Sequence, residues 1–191
     1  MPQAQRAELP APSLAPTHQE VCSSVPPALA ALIDAIDAAW TEGRPAPRIV
    51  AALQAAAAQR DLLTPNQRAT EAGCYARHLL YSDPRGRFTI VSIVWGPGQF
   101  SPTHGHHTWC AYAVHQNTLE ETLFAWDQAS GTARPARTQA RPAGYGCFAR
   151  AGLDQIHRLG NSGREPAISI HVYGVERERV CTHVNRVVQV G

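Results

Sequence analysis

Several marks of common protein classes are missing from this sequence of 191 residues. No run of 18 apolar residues occurs, so no membrane-spanning helix is expected. The first ten residues lack the basic-then-apolar pattern of a secretory signal. The cysteines, Cys22, Cys74, Cys110, Cys147 and Cys181, are odd in number and contain no C-x-x-C pair. That spacing favours neither a disulfide framework nor a zinc ribbon. A net charge of only +2 leaves little basic excess for a nucleic acid or an anionic membrane. No helix-turn-helix pattern and no internal repeat are visible. A cytoplasmic protein is expected, with a monomer as its working form and with neither nucleic acid nor membrane as partner.

The pattern along the chain changes character once. Residues 1–25 are rich in proline, alanine and serine and read as a poorly ordered arm. Residues 26–191 read as a single domain of ordinary size. Its first part, about 26–70, is a helical cap. Leu29, Leu32, Ile33, Ile36 and Trp40 recur at helical spacing, and Gly43 and Pro45 end that element. A second helical stretch is expected over 47–63, followed by a short helix or turn at Thr64-Pro-Asn-Gln-Arg68. From about residue 74, β-branched and aromatic runs at 75–81, 88–95, 108–115, 120–127, 145–150 and 167–175 alternate with turn signals. Many short strands at even spacing predict a mainly β protein, a sandwich or closed barrel.

Three histidines carry the chemistry. His104 and His106 flank one glycine, and residues i and i+2 of a strand project from one face. His157, in Gly152-Leu-Asp-Gln-Ile-His157, offers a third imidazole from a distant strand. Three neutral nitrogen ligands without a carboxylate suit a transition metal better than magnesium or calcium. His18, His78, His115 and His183 read as ordinary surface or hydrogen-bonded residues. His107 faces away from the pair on a regular strand. Cys181-Thr-His183 receives no role.

Ser169, His171 and Tyr173 alternate with Ile168, Ile170 and Val172. On a strand this sorts three polar groups to one face and three β-branched groups to the other. If the polar face points inward, it lines a functional cavity. Ser169 then orients His171, which holds the Tyr173 phenol. No nucleophile elbow surrounds Ser169, which weighs against a hydrolase triad.

Gly98, the His104-x-His106 pair, Asn117 and the later His157-x3-Asn161 resemble the two motifs of the cupin superfamily. The usual acid is replaced by Cys110 and the final glycine by Asn117, a residue that tolerates the left-handed turn conformation. With Tyr75-x-Arg77, Trp95-Gly96, Leu119-Glu-Glu-Thr-Leu-Phe124 and Ser169-Ile-His171-Val-Tyr173, the stretch from Tyr75 to Gly174 resembles the cysteine dioxygenase family. The resemblance implies a cupin, jelly-roll-like β-barrel. It implies one mononuclear Fe(II) held by His104, His106 and His157. It also implies that Arg77, beside Tyr75, grips a substrate carboxylate and that Tyr173 faces the metal. Some members join a cysteine near position 110 to the matching tyrosine through a thioether. Cys110 therefore reads either as a small buried hydrophobe or as a crosslink partner of Tyr173, although its spacing from His106 is one residue shorter than in the animal enzymes.

The residues themselves fit those roles. A planar guanidinium matches a carboxylate in two parallel hydrogen bonds. Neutral imidazoles leave the negative charge to be supplied by an incoming thiolate, whose pKa a metal lowers. The expected reaction adds both atoms of O2 to the sulfur of a small thiol carboxylate. The resemblance makes L-cysteine the first choice, giving cysteine sulfinic acid, because members of the family that prefer 3-mercaptopropionate commonly have glutamine where this chain has Arg77. Gly96-Pro-Gly-Gln99 and Thr108-Trp109 look like the bacterial branch, which keeps 3-mercaptopropionate and mercaptosuccinate open. Two other readings remain: a non-catalytic metal- or ligand-binding cupin, and a zinc hydrolase, which lacks an evident carboxylate base.

Overall fold

The computed structural model describes residues 25–41 and 45–191. Residues 1–24 of the expected arm, with His18 and Cys22, lie outside the described residues.

Two helices, α1 (Pro27–Thr41) and α2 (Pro45–Ala57), come first. Each opens on proline, whose missing N–H costs nothing in a first helical turn. Leu29, Leu32 and Ile36 form the buried stripe of α1, and Ile49, Leu53 and Ala56 that of α2. The second helix ends six residues short of the expected 63. Its last turns tighten, with Gln59 N–H reaching the Ala56 carbonyl and Leu62 N–H the Gln59 carbonyl. Pro65 then excludes helical backbone at the residue before it. The short turn at Asn66–Arg68 is a 3-10 helix.

Ten strands follow among the described residues: β1 (Ala76–Ser82), β2 (Thr89–Trp95), β3 (His104–His106), β4 (Cys110–Gln116), β5 (Thr118–Asp127), β6 (Thr132–Pro142), β7 (Gly146–Ala149), β8 (Gly152–Gly160), β9 (Ala167–Tyr173) and β10 (Asn185–Val187). One sheet runs β1-β2-β9-β4-β7 and the other β10-β3-β8-β5-β6. All ladders between named strands are antiparallel. The chain passes repeatedly from one sheet to the other, which is the jelly-roll course of a cupin barrel. At the β4–β5 crossing Asn117 has φ 60°, the left-handed conformation its type tolerates.

The first sheet is buried on both faces. Ile90, Val94, Ala111, Ala113, Ile168, Ile170 and Val172 pack outward against α1 and α2. Val91, Ile93, Cys110, Tyr112 and Tyr173 point into the barrel. The β-branched face of β9 is thus covered by helix, and its polar face looks inward.

Strands β3, β6, β8 and β10 have no counterpart among the runs expected from the sequence, although a strand is expected under the His104–His106 pair and under His157. β6 reads Thr-Ala-Arg-Pro-Ala-Arg-Thr-Gln-Ala-Arg-Pro and is mostly exposed. As an edge strand it tolerates Pro135, which sits where the β5 register slips between Leu123 and Phe124.

Candidate metal centre

β3 and β8 bring the three histidines together. His104 lies directly opposite His157, while His106 pairs with Gly152, so the ladder bulges between the two. Ring centroids are 5.4 Å apart for His104–His106, 4.7 Å for His104–His157 and 5.1 Å for His106–His157. One ring nitrogen from each lies within 4.8 Å of the other two. Gly105 makes this close pairing possible. A Cβ there would stand 2.5 Å from the Gly152 carbonyl oxygen and 2.9 Å from Leu153.

The hydrogen bonds behind the rings fix their orientation. His104 donates from Nδ1 to the Pro102 carbonyl at 2.8 Å. His157 donates from Nδ1 to Glu121 Oε1 at 2.7 Å. Both rings therefore turn an Nε2 lone pair toward the cluster. Neither nitrogen of His106 has a partner among the described residues, although both are buried. Burial, and next the nearby His157, push the His104 pKa well below its ordinary value and bring His106 down to about 3. The donor set is thus three imidazoles held close together, with His104 and His106 kept neutral by burial. Such a set, with buried nitrogens lacking any protein partner, fits a transition-metal ion.

Glu121, quoted from the sequence only within Leu119–Phe124 and given no role there, is the carboxylate that stands behind His157. It is not a free base. Oε1 accepts from His157 and from the Tyr112 hydroxyl at 3.3 Å, and Oε2 accepts from Arg141 at 2.7 Å. Burial alone would raise its carboxyl pKa, but the hydrogen bonds from His157 and Arg141 hold it below the usual value. The available signal was the alternation of β5, where Glu121 takes an inward position next to buried Leu119.

A second network runs along β9. Trp95 Nε1–H donates to Ser169 Oγ at 2.9 Å, Ser169 lies 2.8 Å from His171 Nε2, and His171 Nδ1 lies 3.1 Å from the Tyr173 hydroxyl. Ser169 is fully buried, so its own proton needs an acceptor, and His171 Nε2 is the one within reach. His171 is kept neutral first by burial and then by the Arg77 charge, so its single proton sits on Nδ1 and is donated to Tyr173. The Tyr173 O–H is left free to donate into the cavity, and burial raises its pKa.

Arg77 closes another side of the same cavity, on β1 opposite Ile93. It is 3% exposed. Its Nη2 reaches the Tyr75 hydroxyl at 3.3 Å, while its Nε has no partner. Burial works against its charge, but Tyr75, Tyr173 and Cys181 around it hold its pKa above the ordinary arginine value. Cys181, given no role from the sequence, therefore stands in the neighbourhood of Arg77. Cys110 and Asn185 also border the cavity, and among the described residues no carboxylate does. Ser169 stands behind His171 rather than on the cavity wall. The remaining histidines lie elsewhere: His107 is exposed, His78 bonds the Ala69 carbonyl, His115 bonds the Ala57 carbonyl, and His183 bonds Thr182.

The family model described as Cysteine dioxygenase type I matches residues 67–182 of this chain. Cysteine dioxygenase type 1 of Homo sapiens is 31% identical over 101 residues, which cover 52% of this chain and 50% of that protein. The Danio rerio protein of the same name is 32% identical over 107 residues, with the same coverage. The matched region spans about half the length of these curated relatives. Among solved structures, TT1209 from Thermus thermophilus is 17% identical, with a TM-score of 0.47 over 62% of this chain and 97% of that one.

Proposed function

Because the chain belongs to the cysteine dioxygenase type I family, we propose that it is a non-haem Fe(II) thiol dioxygenase acting on a small thiol carboxylate, with L-cysteine the first assignment and cysteine sulfinic acid the product. The observation that carries this reading is Arg77, a buried guanidinium without a carboxylate partner among the described residues, in the cavity that also holds the three histidines. A buried cation without a counter-ion is costly, and a bound substrate carboxylate relieves that cost.

His104, His106 and His157 would hold the iron. When bound, the iron lowers the pKa of a coordinated thiol and supplies redox chemistry with O2. The protein residues do the rest. Arg77 receives the carboxylate in two parallel hydrogen bonds, and Tyr75 steadies the guanidinium. The three imidazoles bring no negative charge, so the thiolate supplies it. Tyr173 presents a hydroxyl proton to the bound reactants, oriented through His171 and Ser169. The apolar walls of Ile93, Trp95 and Leu159 exclude water.

A second reading rests on the cavity lining. Among the described residues, no carboxylate borders the cavity to receive a substrate ammonium. Thiol carboxylates without an amine, 3-mercaptopropionate and mercaptosuccinate, therefore remain candidates for the same machinery. Oxygen uptake by the iron-loaded protein with each of the three thiols decides. Turnover of cysteine ahead of the others supports the first assignment. Turnover of another thiol with cysteine inert replaces it. No uptake with any thiol, together with stoichiometric zinc or nickel, returns the protein to the binding-cupin reading.

A further inference from the structure

The three cluster histidines are backed unequally. Among the described residues, a carbonyl stands behind His104, a carboxylate behind His157 and nothing behind His106. The carboxylate is the unusual member. The Glu121 side chain is 3% exposed, and the Arg141 guanidinium that clamps its Oε2 at 2.6 Å is 13% exposed. Arg141 lies opposite Leu119 on the β5–β6 ladder, which sets it diagonally from Glu121. Its guanidinium is seated 4.0 Å from the Tyr145 ring centroid. Tyr112 fills the remaining side of the carboxylate. Glu121 is thus held from three directions, and only one of them is a cluster ligand.

A carboxylate behind an imidazole does two things. It fixes the ring and makes it a stronger ligand. It also brings a negative charge close to the metal position, which opposes an anionic ligand there. Arg141, whose Nε and Nη2 both reach Oε2, keeps the first effect and removes the second. The geometry points to a divided role: Glu121 is a positioning residue for His157, and Arg141 cancels the charge that Glu121 would otherwise impose, keeping the cluster receptive to an anion. The thiol as that anion rests on the function proposed above; the positioning of His157 does not.

Cobalt(II)-loaded protein tests both halves without turnover. Glu121→Ala should release Co(II) to a chelator about ten- to a hundredfold faster than the unsubstituted protein. In apo protein, its His157 ring nitrogens should lose the single-tautomer 15N pattern. Arg141→Gln should hold Co(II) at least as firmly as the unsubstituted protein. Its affinity for azide, a small anion that is not a thiol, should fall by about tenfold, the effect of a nearby uncompensated charge. Arg141→Lys should restore azide binding, and it carries the test alone if Arg141→Gln does not fold. L-cysteine binding, read from the thiolate-to-cobalt absorption band, should weaken in parallel in Arg141→Gln and recover as pH rises.

Unchanged Co(II) release and unchanged 15N shifts in Glu121→Ala would overturn the positioning role. Undiminished azide affinity in folded Arg141→Gln, or lost azide affinity in Arg141→Lys, would overturn the charge role. If azide behaves as expected while no thiol binds to any variant, the function proposed above fails and this assignment stands.

Discussion

Cys110 and Tyr173 face each other directly across the β4–β9 ladder, both buried and both inside the barrel. Cross-strand partners of this kind bring their side chains into contact. Joining the Cys110 sulfur to the Tyr173 ring would remove one hydrogen from each, and the two protons and two electrons would reduce one O2 to hydrogen peroxide. After aerobic turnover with iron and the thiol substrate, the intact mass is expected to fall by two hydrogens, and Cys110→Ala is expected to abolish the change. An unaltered mass leaves Cys110 as a small packing residue.

Arg77→Ala separates substrate grip from metal grip. The guanidinium has no contact with the three histidines among its hydrogen bonds. KM for a carboxylate thiol is expected to rise on the order of a hundredfold, the cost of losing one partner of a buried charged pair. Iron content, measured on the same preparation, should stay at its original level. Lost iron would show that Arg77 supports the cluster instead.

Ser169→Ala removes the group that directs the His171 proton toward Tyr173. Trp95 would then lose its acceptor, and His171 Nε2 would be free to carry the proton itself. The expected result is a fall in kcat of about tenfold, the value of one buried hydrogen bond, with KM little changed. Steady-state kinetics together with the ring 15N shifts of His171 check it. A KM effect alone would contradict the orienting role.

Asp83 holds the β1–β2 hairpin through Arg87, which donates to both of its oxygens at 2.8 and 2.7 Å. Those hydrogen bonds lower its pKa from 3.8 to about 2. A carboxyl depressed in the folded state adds stability above its unfolded pKa and loses it as pH falls toward the folded one. Urea unfolding should show the native chain more stable than Asp83→Asn at pH 7. The gap should narrow between about pH 4 and pH 2. A gap independent of pH would mean that the pair contributes packing alone.

The legible parts of this molecule are those in which alternation and chemistry coincide. Ser169, His171 and Tyr173 announce an inward polar face because Ile168, Ile170 and Val172 supply the outward apolar one, and the helices do cover it. Asn117 in the place of a turn glycine takes the left-handed conformation that its side chain tolerates. Strand β6 was not legible because an exposed edge needs no apolar pattern; its pairing with β5 makes it a strand. Glu121 was hidden for the opposite reason. One of two adjacent acids in a strand, it reads as a solvated residue until the strands that carry His157 and Arg141 are placed on either side of it.

β9 is a thin partition with two tenants. One side of its backbone carries the hydrogen-bonded hydroxyls and imidazole, and the other is clamped by the side chains of α1 and α2. The helices never touch the cavity, yet they form the bench on which its reactive wall is mounted. Loosening that bench by cutting back a fully buried side chain such as Leu53 would let Tyr173 wander before the barrel itself came apart.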